Sequence, residues 1–175
     1  TPLWNYTTDS DMDHDVNSIS ISEDGEYIAA GSSNSKIYLF DKDSNSTLWI
    51  YHTNNVVNSV AISADGEYIT AGTQQTYGFN LFLFDKDSGT PLWKTELGDD
   101  VYSVAISEDG KYITAGTNYH DGHVYLFDKD SSTPLWSYDA GETVRSVSIS
   151  GDGNNLTAAV SRNYANDYPS KIYCF

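Results

Sequence analysis

Cysteine and basic residues are scarce in this sequence, and each shortage excludes a kind of site or partner. Cys174 is the only cysteine among 175 residues, so an intrachain disulfide is excluded and a cysteine-based metal site is disfavoured. Nine Lys and Arg stand against 25 Asp and Glu, a net charge of −16. Nucleic acids and anionic membrane surfaces attract cations, so we expect neither as a partner. We favour solubility in a salty or extracellular medium over cation capture as the reason for the acidity.

Long apolar runs, helical periods and catalytic motifs are also missing. No apolar run approaches the roughly 20 residues of a membrane span, so we predict no membrane insertion. No stretch sustains a helical period. The sequence contains no nucleophile elbow, no HExxH motif and no phosphate-cradling glycine loop. We therefore expect a protein that is not an enzyme.

The sequence does contain one unit that is repeated four times. Tryptophans recur at positions 4, 49, 93 and 136, and Asp-Gly pairs begin at positions 24, 65, 109 and 152. Self-similarity at a fixed period indicates a repeat architecture. We divide the chain into four repeats of one domain, without a linker: 1–46, 47–89, 90–132 and 133–175.

Each repeat consists of short strand-like segments. In the third repeat these segments are 92–97, 101–107, 111–116 and 124–127. Asp109-Gly110 between two of them is a strong hairpin signal, because glycine supplies the positive φ of the turn. Gly89 and Asn45 hold matching places in a second kind of turn, where a left-handed backbone would be tolerated. Four strands per unit at this period predict an all-β propeller with four four-stranded blades.

The repeat resembles those of known propeller families. The pattern SVAIS-x-DG-x-Y-I-x-AGT…V-Y-L-F-D is similar to a WD40-type blade, with Phe-Asp where that family often has Trp-Asp. The turn from Asp85 to Trp93, DKDSGTPLW, is similar to the turn and docking tryptophan of quinoprotein-type (PQQ-like) blades. The chain thus resembles WD40-like or PQQ-like repeats of prokaryotic surface proteins. This resemblance implies the fold and leaves the function open.

The sequence departs from these families at two places. The buried Asp in the WD40 turn before the third strand is matched only by Asp121, whereas Asn34, Gly78 and Pro169 hold the aligned places. The hydrogen-bond network built on that Asp therefore cannot hold every blade. None of the quinone-binding residues of quinoprotein enzymes can be placed, so we expect no cofactor.

The phase of the repeat bears on ring closure. The chain starts on an outermost strand, residues 2–6, and stops on a third strand, so its first strand can complete a last blade. The resemblance implies rings of seven or eight blades. Two chains that exchange the strand of Trp4 would form an eight-bladed ring, and we predict such a homodimer. A single-chain four-bladed ring and a fragment of a larger ring are the alternatives.

Loops that differ between repeats predict where a ligand binds. The loops before the innermost and third strands vary sharply, so we place any binding face there. We call this the variable face. The aligned channel-mouth residues suit a small polar or anionic ligand, although a merely wet channel is the alternative; they are Asn17, Asn58, Tyr102 and Arg145. The candidate loop contacts for a protein or glycan are Tyr77, Phe79, Tyr119, His120, His123, Tyr164 and Tyr168.

Metal sites are weaker predictions. Asp11, Asp13 and Asp15 belong to an acidic run whose alternate carboxylates suit Ca²⁺, but a solvated loop is the preferred interpretation. His120, Asp121 and His123 are close enough in sequence to suit a transition metal, but chance loop composition is the preferred interpretation. We therefore predict no metal site.

We predict from these features a non-enzymatic scaffold that binds protein or carbohydrate through the variable face. N-glycosylation sequons begin at Asn5, Asn45 and Asn155 and lend modest support to an extracellular or cell-surface location. One alternative is a small-ligand, enzymatic or sensor propeller with a site at the channel mouth. Another is a structural repeat module of a cell-surface protein.

Overall fold

The computed structural model describes residues 1–8, 14–118, 120–161 and 169–175. Every regular element in these ranges is a β-strand. The strands are β1 Val16–Ile21, β2 Tyr27–Ser32, β3 Lys36–Asp41, β4 Thr47–His52, β5 Val57–Ile62, β6 Tyr68–Thr73, β7 Leu81–Asp85, β8 Pro91–Thr95, β9 Val101–Ile106, β10 Tyr112–Thr117, β11 His123–Asp128, β12 Trp136–Asp139, β13 Val144–Ile149, β14 Leu156–Val160 and β15 Lys171–Cys174.

The strands form four antiparallel sheets, which confirms the predicted propeller blades. Blade 1 is β1–β4, blade 2 is β5–β8, blade 3 is β9–β12 and blade 4 is β13–β15. Each sheet is a meander that begins with its innermost strand, and the innermost strands contact one another in series along the chain. The outermost strand comes from the start of the next sequence repeat: Trp49, for example, pairs with Leu39 of β3.

The Asp-Gly turns are built by local hydrogen bonds. Asp109 Oδ1 accepts bonds from Ser107 Oγ at 2.7 Å and from the Lys111 amide at 3.0 Å. Gly110 has a φ of +70°, as predicted. Equivalent bonds hold the turns of Asp24 and Asp152. In all three turns the serine hydroxyl first, and then the backbone amide, lower the pKa of the aspartate.

These turns predict a specific dependence of stability on pH. A carboxylate with a lowered folded pKa stabilises the protein above its unfolded pKa, near 3.8, and loses that contribution as the pH falls through the folded value. A variant with Asp24, Asp109 and Asp152 replaced by asparagine should therefore melt below the wild type at pH 7. The two melting temperatures should converge as the pH falls from 3.8 through the lowered folded pKa values. Thermal melts followed by circular dichroism test this, and a gap that persists at low pH would contradict it.

Neighbouring blades meet along apolar seams. Between blades 1 and 2, Ile37 and Leu39 pack against Ile69 and Phe84, and all four side chains are fully buried. Packing at the seam is close, since a Cβ added at Gly31 would lie 2.4 Å from a methyl of Val57. Each docking tryptophan then crosses to the next blade. The Trp49 indole donates to the Lys86 carbonyl at 2.8 Å, and Trp93 donates to Lys129 at 2.7 Å.

The two ends of the array leave a seam surface uncovered. At blade 1 the exposed side chains are Val16, Ile19 and Ile21, and we call this surface the head face. At blade 4, Ile172 is 83% exposed although its equivalents in the other blades are fully buried, and we call this surface the tail face. The four blades therefore form an open arc. The single-chain four-bladed ring, an alternative from sequence, is not formed by the residues described.

Candidate functional site

One loop of the variable face connects β6 to β7 in blade 2 and is held by hydrogen bonds to residues outside it. Asn55 is 3% exposed and holds this loop from below. Its Nδ2 donates to the Tyr77 carbonyl at 2.9 Å, and its Oδ1 accepts from the Tyr77 amide at 3.2 Å. The Gln75 amide donates to Asp100 Oδ1 at 2.7 Å. A buried side chain and a neighbouring blade thus fix the backbone of an otherwise irregular segment.

This fixed loop presents aromatic rings to solvent. Tyr77 is 74% exposed and Phe79 is 43% exposed. Lys94 Nζ lies 4.5 Å from the centre of the Phe79 ring, a cation–π distance. We call Tyr77, Phe79 and Lys94 the aromatic patch. Exposed rings on a rigid backbone can stack on sugars or pack against peptide side chains at a small entropic cost.

The corresponding loop of blade 3 forms hydrogen bonds and a ring contact within its own blade. Asp121 Oδ2 accepts bonds from Thr117 Oγ1 at 2.7 Å and from the Tyr125 hydroxyl at 2.8 Å. Burial, and then the bond to Asp121, raise the pKa of Tyr125 above its usual value. His123 stacks on Tyr125 with ring centres 5.6 Å apart. Asp121 and His123 therefore support the blade, and a contact of His123 with a partner stays a prediction.

The other blades have different residues at the position of Asp121, so its hydrogen-bond network does not recur in every blade, as the sequence predicted. In blade 1, Asn34 takes the place of Asp121 and its Nδ2 donates to the Tyr38 hydroxyl at 2.7 Å. In blade 2 the aligned residue is Gly78, and the aromatic residue four positions later is Phe82, which has no hydroxyl to satisfy. In these three blades the polar residue and the aromatic residue thus change together, whereas blade 4 combines Pro169 with Tyr173. This signal was readable from the sequence.

The predicted channel-mouth residues occupy one structural position in all four blades. Each is the extra residue of a β-bulge on its innermost strand, which turns its side chain out of the regular alternation. Asn17 Nδ2 donates to the Val57 carbonyl at 2.9 Å, and Asn58 Nδ2 donates to Val101 at 3.0 Å. The remaining two, Tyr102 and Arg145, form a cation–π pair at 5.1 Å. These residues tie neighbouring blades together, and their role in binding a ligand stays a prediction.

Two other predicted residues, Asp15 and His120, form hydrogen bonds through their backbones. Asp15 uses its backbone to hold the loop after β2, because its amide donates to Ser33 Oγ at 2.8 Å and its carbonyl accepts from Ser32 Oγ at 2.8 Å. The His120 amide donates to Asp99 Oδ2 at 3.0 Å. Within the described ranges, no group of three His, Cys, Asp or Glu is arranged to hold a metal. The predicted residues Asp11, Asp13, Tyr119, Tyr164 and Tyr168 lie outside the described residues.

Two residues of the variable face escaped the sequence reasoning. Asn55 is the anchor of the Tyr77 loop, and Lys94 reaches Phe79 from the outermost strand β8. Asn55 belongs to a variable loop, so sequence variation marked it without indicating its partner.

No helix in the described part of the chain has the length and apolar character to cross a membrane.

Comparisons with known proteins agree with this architecture. A family model described as outer membrane protein assembly factor BamB, which represents PQQ-like repeats, matches residues 33–165. A second, for the WD domain or G-beta repeat, matches residues 6–41. The fold is similar to that of Kuenenia stuttgartiensis hydrazine synthase, with a TM-score of 0.71 and 18% identity.

That similarity covers 83% of this chain and 42% of the hydrazine synthase chain, so this chain spans less than half of the solved structure. At this identity it shows the fold alone. No curated protein matches the sequence. The match over residues 33–165, together with the blades and docking tryptophans, shows that this chain belongs to the BamB-type, PQQ-like family of β-propeller repeats.

Proposed function

We propose that this chain is a non-enzymatic interaction scaffold that binds a protein or carbohydrate partner through the aromatic patch of the variable face. One observation carries the proposal: Tyr77 is 74% exposed while both polar groups of its backbone are bonded to the buried Asn55. A large ring that costs little to order is the usual anchor of a binding surface. The propeller supplies the rigid frame on which such a loop is displayed.

The use of the polar residues supports a scaffold over an enzyme. Asn17, Asn58 and Asp121 are each bonded to other parts of the propeller. A catalytic site needs acid, base or nucleophilic groups that converge on a cleft. Asp109 instead holds a turn and Asp121 supports blade 3, so we assign partner binding to the exposed rings of the variable face.

The family supports a location and a kind of partner. BamB is described as an outer membrane protein assembly factor, and WD40 repeats form interaction propellers. By analogy we place this chain outside the cytoplasm or at the cell surface, in contact with another macromolecule. The net charge of −16 suits such a setting, because it keeps the scaffold soluble and repels anionic surfaces.

Replacing Tyr77 and Phe79 together by alanine should abolish partner binding and preserve the fold. Loss of a central aromatic anchor typically costs 2 kcal/mol or more, about a thirtyfold loss of affinity. Binding is measured on an array of defined oligosaccharides and, separately, on immobilised envelope proteins. Leu92→Ala is the matched control, because Leu92 is 52% exposed and its equivalents Leu48 and Leu135 are exposed as well. Binding that survives the double replacement, or a wild type that binds neither probe, would refute the proposal.

A second copy of the chain is the other partner that we propose. Propellers contain about 4 to 8 blades, and two open arcs of four blades supply eight. The open arc leaves apolar end surfaces, which folded proteins cover. A homodimer with a complete ring would present two variable loop sets on one face and could strengthen a weak contact through avidity by about 10²–10⁴-fold.

A further inference from the structure

We propose that the head face and the tail face are two halves of one seam, and that residues 2–6 of one copy add an outermost strand to blade 4 of the other. This inference rests on the homodimer proposed above and specifies its geometry. Three independent features support it: the placement of the N-terminal segment, the pattern of exposure at the two end faces, and their charge.

The N-terminal segment stands where the outermost strand of a preceding blade belongs. The Trp4 indole donates to the Lys42 carbonyl at 2.6 Å, as Trp49 does to Lys86 in the next seam. The ring centre of Trp4 lies 5.6 Å from that of Phe40, the same separation as between Trp93 and Phe127. Residues 2–6 nevertheless form no strand, and none of the described strands pairs with them. The segment therefore occupies the position of an outermost strand, although none of the described strands pairs with it.

Blade 4 lacks the strand that this segment would supply. β15 pairs with β14, and among the described residues no strand lies on its other edge. In blades 1, 2 and 3 the residue equivalent to Cys174 pairs with a docking tryptophan; the three pairs are Leu39–Trp49, Leu83–Trp93 and Leu126–Trp136. Cys174 is exposed. In the proposed seam, Trp4 of the second copy lies opposite Cys174 and covers it.

The exposed apolar residues of the two end faces are those that internal seams bury. On the tail face, Ile172 is 83% exposed, whereas its equivalent Ile37 is fully buried. On the head face, Val16 and Ile19 are 50% and 69% exposed. Their equivalents in blade 2, Val57 and Val60, are 0% and 5% exposed. Burying these side chains restores at the ends the packing that the internal seams already have.

Charge makes the two faces complementary. Arg145 and Lys171 lie together at the tail face, beside Ile172, in a chain that has few cations. Arg145 holds the bulge position from which Asn17 and Asn58 donate to the first carbonyl of the next innermost strand. In the proposed seam the Arg145 guanidinium donates to the Val16 carbonyl of the second copy, next to the exposed Asp15. This pairing favours a second copy over a neutral apolar partner.

One position shows that this seam differs from the internal ones. Ala159 replaces the seam glycine of the other blades, where an added Cβ would lie 2.4 to 2.5 Å from a valine methyl of the next blade. Val16 holds that valine position in the head face. The Ala159 methyl therefore holds the two copies slightly apart. Ala159→Gly should strengthen dimerisation by about tenfold, since relief of such overpacking is worth 1 kcal/mol or more.

The test combines mass and thiol reactivity in the full chain. Sedimentation equilibrium of the wild type should give about twice the monomer mass of 19.3 kDa. The reaction of Cys174 with Ellman's reagent should slow as protein concentration rises, because Trp4 covers the thiol. Ile172→Asp should weaken the dimer by about a hundredfold, since it buries an unpaired charge in the seam. Leu135→Asp is the control, because Leu135 is exposed and its equivalents in the other repeats are exposed too.

The outcomes separate the seam from the dimer. A doubled mass that Ile172→Asp abolishes and Leu135→Asp preserves supports the seam. Larger head-to-tail oligomers with a protected Cys174 also support the seam and refute closure by two copies. A doubled mass with Cys174 equally reactive at every concentration overturns the seam and retains the homodimer. A wild type that is monomeric throughout overturns both.

Discussion

Replacing Phe84 by alanine is expected to lower the free energy of unfolding by about 3–5 kcal/mol. Phe84 is fully buried at the seam between blades 1 and 2. Its ring centre lies 5.2 Å from that of Trp49 and 5.0 Å from that of Tyr51. The variant loses the apolar surface of the ring, and it leaves a cavity that two aromatic neighbours from another blade cannot easily fill. Urea unfolding followed by tryptophan fluorescence measures the loss.

The repeat offers a matched control for this prediction. Phe175 holds the same position in blade 4, and its ring centre lies 5.2 Å from that of Trp136. In the single chain it is only half-buried, and among the described residues no strand pairs with the outer edge of β15. Phe175→Ala should therefore cost clearly less, about 1–2 kcal/mol by the buried area. Equal losses for the two variants would contradict our assignment of the Phe84 effect to burial in a seam.

The local parts of the fold were predictable from sequence because local residues determine them. The segment 124–127 corresponds to the strand His123–Asp128, and the segment 111–116 corresponds to Tyr112–Thr117. The turn glycine Gly110 has the positive φ that its Asp-Gly pair indicated. Alternation, turn chemistry and the fourfold period all act within a few residues. Because the unit occurs four times, each strand and turn assignment could be compared across four copies.

Contacts between blades were not predictable in this way. Gly89 and Asn45 hold turn places where the sequence suggested that a left-handed backbone would be tolerated, but neither residue has a positive φ. The small size of Gly89 has another reason: a Cβ there would lie 3.1 Å from the Cβ of Trp49, which belongs to the preceding blade. Asn17 and Asn58 likewise looked free to bind a ligand until the structure placed the next blade's carbonyls beside them. Such pairings join residues about 40 positions apart and leave no local pattern.

The candidate site was predicted as a surface and not as a set of contacts. Variation between repeats identified the variable face, because residues that hold the blade together recur in every unit. It did not distinguish His123, which packs on Tyr125, from Tyr77, which points into solvent. That difference depends on what lies beneath each loop. In blade 2 it is Asn55, whose amide satisfies the loop backbone and leaves the ring unused.

Gly72→Ala should destabilise the chain by about 1–3 kcal/mol, although it adds a single methyl group to a strand. The new Cβ would lie 2.4 Å from Val101 Cγ1 and 2.9 Å from Val101 Cβ, so β6 and β9 must separate. The effect comes from the seam, because alanine is itself favoured over glycine in a strand interior by about 0.5–1 kcal/mol. Urea unfolding again provides the measurement.

A double-mutant cycle tests whether Val101 is the cause. Val101→Ala removes the Cγ1 methyl at 2.4 Å, while the Cβ of residue 101 at 2.9 Å and Val104 Cγ1 at 3.0 Å stay. Gly72→Ala should therefore cost clearly less in that background than in the wild type. The reverse change in blade 4 supplies the control. Ala159 is exposed, and Ala159→Gly should lower the stability of the monomer only by the backbone cost of glycine, roughly 0.5–1 kcal/mol. If Gly72→Ala costs the same with and without Val101, the glycines are not set by the seam. Blade spacing would then require another explanation.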